Sequence, residues 1–272
     1  MAWLAAAWLT LSADSLEWLV PVELAWHQPI VSAASHCGVR AATPVYVPVG
    51  DRAAWQLLSL WQQHPLAKYY GCFSLHHYAL EQLHCEPQGT RQRAHCEWIG
   101  TTIPSESTPH IILVADMAWG IAHSSPQRIT LPSHASVELF AHEIGHWLGL
   151  ADEYAMPAEL AQPFCEGQYQ HPSLNIVVTS SLTLSAAELQ QLWQRLPWRD
   201  AVSSWQQLGV AQADGQWQLG SATEVIGLHA VATCAAVAGR YAWRPVAQMT
   251  PMQYHDIGVW PALYFELIAG SN

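Results

Sequence analysis

The sequence predicts an α+β protein. Three observations carry this expectation. His110 to Asp116 is a short continuous apolar run with β-branched residues, the pattern of a buried strand. Behind Asp51, a ready N-cap, Trp55, Leu58 and Trp61 recur at helical spacing. The last third holds one well-capped helix among short strand-like runs, and so reads as irregular.

The elements follow in chain order. Leu16 to Trp26 and Pro44 to Val49 are rich in Val, Leu and Trp with interspersed prolines, and read as short extended segments at sheet edges. The amphipathic helix after Asp51 comes next. Ser74 to Leu83 reads as a weaker helix and Glu86 to Arg93 as a polar loop. His76, His77 and His84 have no carboxylate at ligand spacing and read as solvated. After the His110 strand and the segment Trp119 to His123, Ser133 or Ser136 is placed to cap a helix carrying His142 and His146. Met156 to Ser173 reads as loop. Ser185-Ala-Ala-Glu188 is a capping box opening a helix through Leu196. Asp214-Gly215, between Gly209–Gln212 and Gln216–Leu219, reads as a hairpin turn.

Composition narrows the function. The 272 residues suit one large domain or two small ones, and half of them are hydrophobic, enough for a sizeable core. A formal charge of −11 with the single lysine Lys68 provides no basic face, which argues against nucleic acid and anionic membranes as partners. The 15 tryptophans are spread along the chain and read as partly buried core. Cys37, Cys72, Cys85, Cys96, Cys165 and Cys234 form no CxxC pair, so they are either disulfides of an exported protein or buried thiols of a cytoplasmic one. The cluster of Cys72, Cys85 and Cys96 favours at least one disulfide, though the connectivity is not legible. The opening MAWLAAAWLTLSADS is an apolar run of signal-peptide length without a preceding positive charge, too short to span a bilayer. It reads as an imperfect export signal, or equally as a first buried element; the expected location is secreted or periplasmic. No other stretch is a transmembrane candidate.

The chemistry concentrates in AHEIGHWLGLADEY, Ala141 to Tyr154. With 15 histidines in the chain, a fortuitous His-Glu-x-x-His is not negligible, so its surroundings matter. His142 and His146, four apart, share one helix face and can reach one ion. Glu143 between them is turned to where a carboxylate meets a water rather than the metal. Gly149 stands where such a helix must stop, because glycine takes a positive φ without penalty. The chain then turns to Asp152, a hard oxygen donor. Three protein ligands and an open fourth position distinguish a catalytic Zn2+ site from a structural one.

These residues, His142, Glu143, His146, Gly149 and Asp152, resemble the signature of metzincin zinc peptidases, in which the last position is His or Asp. HEIGHWLGLADEY, with the later Tyr241-Ala-Trp-Arg244-Pro245, is most similar to the IgA-peptidase-like metallopeptidases. The resemblance covers about residues 108–154 and 222–260. It implies a zincin-like mixed twisted sheet with an active-site helix and an irregular C-terminal subdomain. Residues 1–154 and 155–272 would then form one catalytic unit. It also implies a methionine turn beneath the metal, for which Met252 is preferred over Met249, with Tyr254 then near the zinc. Asp152 stands at the family's third-ligand position, with Glu153 as the alternative. A sheet edge along the cleft, around Gly120 to Ala122, would bind substrate backbone. The expected function is a zinc-dependent endopeptidase acting on a peptide or protein. The rivals are a non-catalytic zincin-fold binding or adhesion protein and a hydrolase of non-peptide amides.

Overall fold

The structure is a computed structural model describing residues 42–89, 93–100, 108–115, 122–169 and 173–271. Leu16 to Trp26, Cys37, the N-terminal apolar run and the segment from Asp116 to Ile121 lie outside the described residues.

The architecture is mixed α+β. Its main sheet contains β1 (Thr43–Pro48), β2 (Phe73–Tyr78), β5 (His110–Val114), β6 (His123–Ser124) and β7 (Arg128–Pro132), in the order β2-β1-β5-β7-β6. β2, β1, β5 and β7 are parallel neighbours, while β6 closes one edge antiparallel to β7. Both faces are covered, which is why β5 is buried at every position and apolar from Ile111 to Val114. On one face Val45, Val47, Ile111, Leu113, Ile129 and Leu131 meet two helices, α1 (Arg52–Trp61) and α2 (Val137–Trp147). On the other, Ile112 and Val114 meet Ala94 and Cys96 of a hairpin formed by β3 (Leu83–Gln88) and β4 (Arg93–Trp98).

The α1 helix forms as its sequence dictates. Asp51 Oδ1 accepts from Ala53 N at 2.9 Å and Ala54 N at 3.2 Å. Leu57, Leu58 and Trp61 are buried, whereas Trp55 sits at the margin beside His77. Three expectations fail nearby. The segment from Ser74 is strand β2 followed by a short 3-10 turn, not a helix, because pairing along the whole of β1 outweighs weak local propensity. The stretch from Glu86 to Arg93 is not all loop, since Glu86 to Gln88 and Arg93 belong to the paired strands of the β3–β4 hairpin, in which Cys85 faces Cys96. β1 is also interior rather than an edge. Its prolines escape conflict because β1 pairs with β5 only at Val45 and Tyr46, between Pro44 and Pro48.

Beyond α2 the chain forms α3 (Ala158–Cys165), β8 (Val177–Thr179), β9 (Thr183–Ser185), α4 (Ala186–Arg195), β10 (Gly209–Ala211), β11 (Gln216–Leu219), β12 (His229–Val231), β13 (Tyr241–Arg244) and α5 (Ala262–Gly270). α3 corrects the expected loop from Met156 to Ser173: it buries Ala161 and Cys165, and the Cys165–Cys234 disulfide holds it despite Pro163. The capping box is present, with Glu188 N donating to Ser185 Oγ and Ser185 N to Glu188 Oε2. The hairpin turns at Gly215, whose φ is +81°. Leu189, Leu192, Trp198, Leu208, Leu228 and Trp243 form a second core, while Met252, Tyr264 and Ile268 pack into the first.

Cys85–Cys96 and Cys165–Cys234 are disulfides, Cys72 is also disulfide-bonded, and no cysteine among the described residues is free. Two such bridges fit an oxidising environment. Among the described residues no helix is long and apolar enough to cross a membrane.

Candidate metal centre

α2 carries the site. Ser136, not Ser133, caps it: Ser136 Oγ accepts from Leu139 N at 3.1 Å. Phe140 and Ile144 anchor its inner face in the core, each contributing about 1.5–3 kcal/mol by burial. Gly145 lets the helix settle onto Met252, since a Cβ there would stand 2.9 Å from the methionine Sδ. The helix ends at Gly149 with φ +90°, a conformation glycine adopts freely, and the chain then reverses toward Asp152.

The reversal brings three side chains together. One donor atom each from His142, His146 and Asp152 falls within a 4.8 Å group, the one such triad of metal-ligating side chains found among the described residues. Asp152 Oδ1 lies 3.2 Å from His142 Nε2 and 3.3 Å from His146 Nε2. Donors bound tetrahedrally at zinc distances are separated by about 3.3 Å, so these two spacings match that geometry. Both rings are already oriented. His142 Nδ1 is 2.9 Å from Pro251 O and His146 Nδ1 is 3.0 Å from Leu150 O. A carbonyl only accepts, so each Nδ1 carries a proton and each Nε2 is turned toward Asp152, where it can bind a metal ion once free of its own proton. Asp152 Oδ1 is buried and its near contacts are these two imidazole nitrogens, at angles poor for hydrogen bonds although the charges attract. A buried carboxylate oxygen facing two imidazole nitrogens without a hydrogen bond fits a cation as its intended partner.

The electrostatics agree. Burial alone would lower the pKa of His146, but the Asp152 carboxylate overrides it and lifts the value to about 9. Asp152 is likewise opposed by burial, yet the His146 and His142 imidazoles hold it well below the usual carboxylate range. Glu143, almost fully buried, has its pKa raised chiefly by desolvation, with both imidazoles pulling the other way. A buried carboxylate with a raised proton affinity, beside a metal-capable triad, is equipped to take up and release a proton.

Glu153 and Asp152 have separate fates. Glu153 is fully buried and its oxygens are occupied by Arg244, Thr250, Asn175 and Tyr264, away from the triad. Met252 is fully buried under Gly145, while Met249 is 48% exposed. Tyr254 is exposed and neighbours His255. Two rings absent from the sequence expectation flank His142 instead: Tyr154, stacked at 6.4 Å between centroids, and His255, edge-on at 6.4 Å. His255 in turn contacts Asp256 at 3.1 Å. Neither ring had a periodic or spacing signal. The adjacency of Tyr154 to Asp152 was the available clue.

Of the expected substrate edge, Gly120 and Ile121 lie outside the described residues, while Ala122 packs against the first core. β6, which follows at once, is the antiparallel outer strand of the sheet. The chain matches no protein-family model and no curated protein.

Proposed function

We propose that the protein is a zinc-dependent endopeptidase with a zincin-like catalytic unit, exported to an oxidising compartment. The observation that carries this reading is Asp152 Oδ1, unpaired in hydrogen-bonding terms and set 3.2 and 3.3 Å from two imidazole nitrogens, with buried Glu143 beside them. His142, His146 and Asp152 would hold Zn2+, a borderline ion suited to two nitrogens and one carboxylate oxygen. Bound there, zinc supplies Lewis acidity toward a carbonyl and lowers the pKa of a water.

The chain's own residues do the rest. Pro251 O and Leu150 O keep the two imidazoles in one tautomer. Glu143 accepts a proton from the attacking water at its carboxylate and delivers it to the departing amine nitrogen, and its raised pKa favours carrying that proton between the steps. Among the described residues β6 is the outer strand of the sheet, where an extended peptide would pair. A purely structural metal site would not need Glu143 in place, which favours turnover over a binding or adhesion role.

The test is cleavage of an unbiased peptide library by zinc-loaded protein, wild type against Glu143→Gln. Glutamine keeps the shape but cannot take the proton, so the rate should fall about a hundred- to ten-thousand-fold with zinc retained. Equal cleavage by the two proteins contradicts the mechanism. Binding of library peptides without cleavage by wild type favours the adhesion reading.

A further inference from the structure

We propose that Glu153 and Arg244 are positioning residues of the metal centre: one buried charge pair that fixes both the third ligand, Asp152, and the orientation of the first, His142. The proposal rests on the metal-site reading above and concerns how that site is held in shape.

Glu153 N donates to Met252 O at 3.0 Å, tying the residue after Asp152 to the methionine turn. The Glu153 carboxylate is saturated. Oε1 accepts from Asn175 Nδ2 at 2.8 Å and from Tyr264 OH; Oε2 accepts from Arg244 Nη1 at 2.8 Å and Thr250 Oγ1 at 2.6 Å. Asn175 also grips the residue before Asp152, accepting from Ala151 N at 2.7 Å and donating to Ala151 O at 3.0 Å. Thr233 Oγ1 donates to Asp152 O at 2.8 Å. The main chain of Asp152 is thus clamped at three consecutive residues.

Arg244 extends the clamp to the other side of the site. Its Nε donates to Val246 O and its Nη2 to Ala247 O, both at 2.9 Å, and its Nη1 also donates to Gln253 Oε1. Thr250 and Gln253 bracket Pro251 and Met252, and Pro251 O is the acceptor that orients His142 Nδ1. One ion pair therefore sets the placement of a ligand loop and of the carbonyl that aims another ligand.

An apolar pair of similar volume would hold the chain together about as well, because burying two charges carries a large desolvation cost. What the charged pair adds is direction. The guanidinium fork fixes donor angles and the carboxylate fixes acceptor sites, and groups outside the ligand set that orient ligands typically change metal affinity by about 10–100-fold when removed.

The experiment measures Zn2+ dissociation constants by competition with a chromophoric chelator. Circular dichroism confirms folding at the working temperature. Glu153→Gln should weaken zinc about 10–100-fold, and Thr250→Val, which removes the donor to Glu153 and the acceptor for Met252 N while leaving the charge pair, should weaken it several-fold. Leu189→Ala, in the second core, is the control: it should lower the melting temperature yet leave zinc affinity unchanged. If Glu153→Gln does not fold, Thr250→Val decides. Wild-type affinity in every folded variant of the pair overturns the positioning role and leaves the metal site standing. Wild-type protein that binds no zinc overturns both.

Discussion

Two carboxylates separated by one peptide bond end in opposite environments. Glu153 is fully buried with partners on both oxygens, whereas Asp152 presents Oδ1 to two imidazoles without a hydrogen bond. The difference separates a polar cluster that holds a fold from one that holds a ligand. Structural polar burial tends to saturate its donors and acceptors, while a binding site leaves one unsatisfied and orients the rest toward it.

The comparison can be broken by stability. Removing Glu153 leaves the buried Arg244 guanidinium without its counter-charge, so Glu153→Ala should cost about 3–5 kcal/mol of unfolding free energy. Asp152→Ala in metal-free protein should cost less, because the two imidazoles facing it can lose their protons when the carboxylate is gone, whereas the Arg244 guanidinium cannot. Urea unfolding of both variants decides it; equal losses would erase the distinction between the clusters. A smaller effect sharpens it. The Cys165–Cys234 bridge ties α3 to the segment after β12 with a sequence separation of 69. Replacing both cysteines with alanine should cost about 2–4 kcal/mol while leaving zinc affinity within about twofold of wild type. A large loss of affinity there would mean that any destabilisation weakens the site, and that the two clusters are not separable.

What the sequence revealed follows the same division. The ligand triad was readable because helix spacing, a helix stop and a third donor are local features, specified within the eleven residues from His142 to Asp152. The Ser185 capping box and the Asp214-Gly215 turn were readable for the same reason. β2 was not, because its pairing partner β1 lies about thirty residues earlier, and the β3–β4 hairpin, although local, was hidden by polar residues such as His84, Glu86 and Gln88. The interior position of β1 was hidden by its prolines. The partners of Glu153 come from residues 175, 244, 250 and 264, a convergence that only tertiary structure displays.

The central claim is that His142, His146 and Asp152 bind a metal ion, and calorimetric titration of Zn2+ into metal-stripped protein tests it most directly. The account predicts one zinc per chain in wild type and in Glu143→Gln, and loss of binding in His146→Ala and Asp152→Ala, where two remaining ligands hold zinc poorly. Zinc bound equally well by Asp152→Ala, or no binding by wild type, would contradict it.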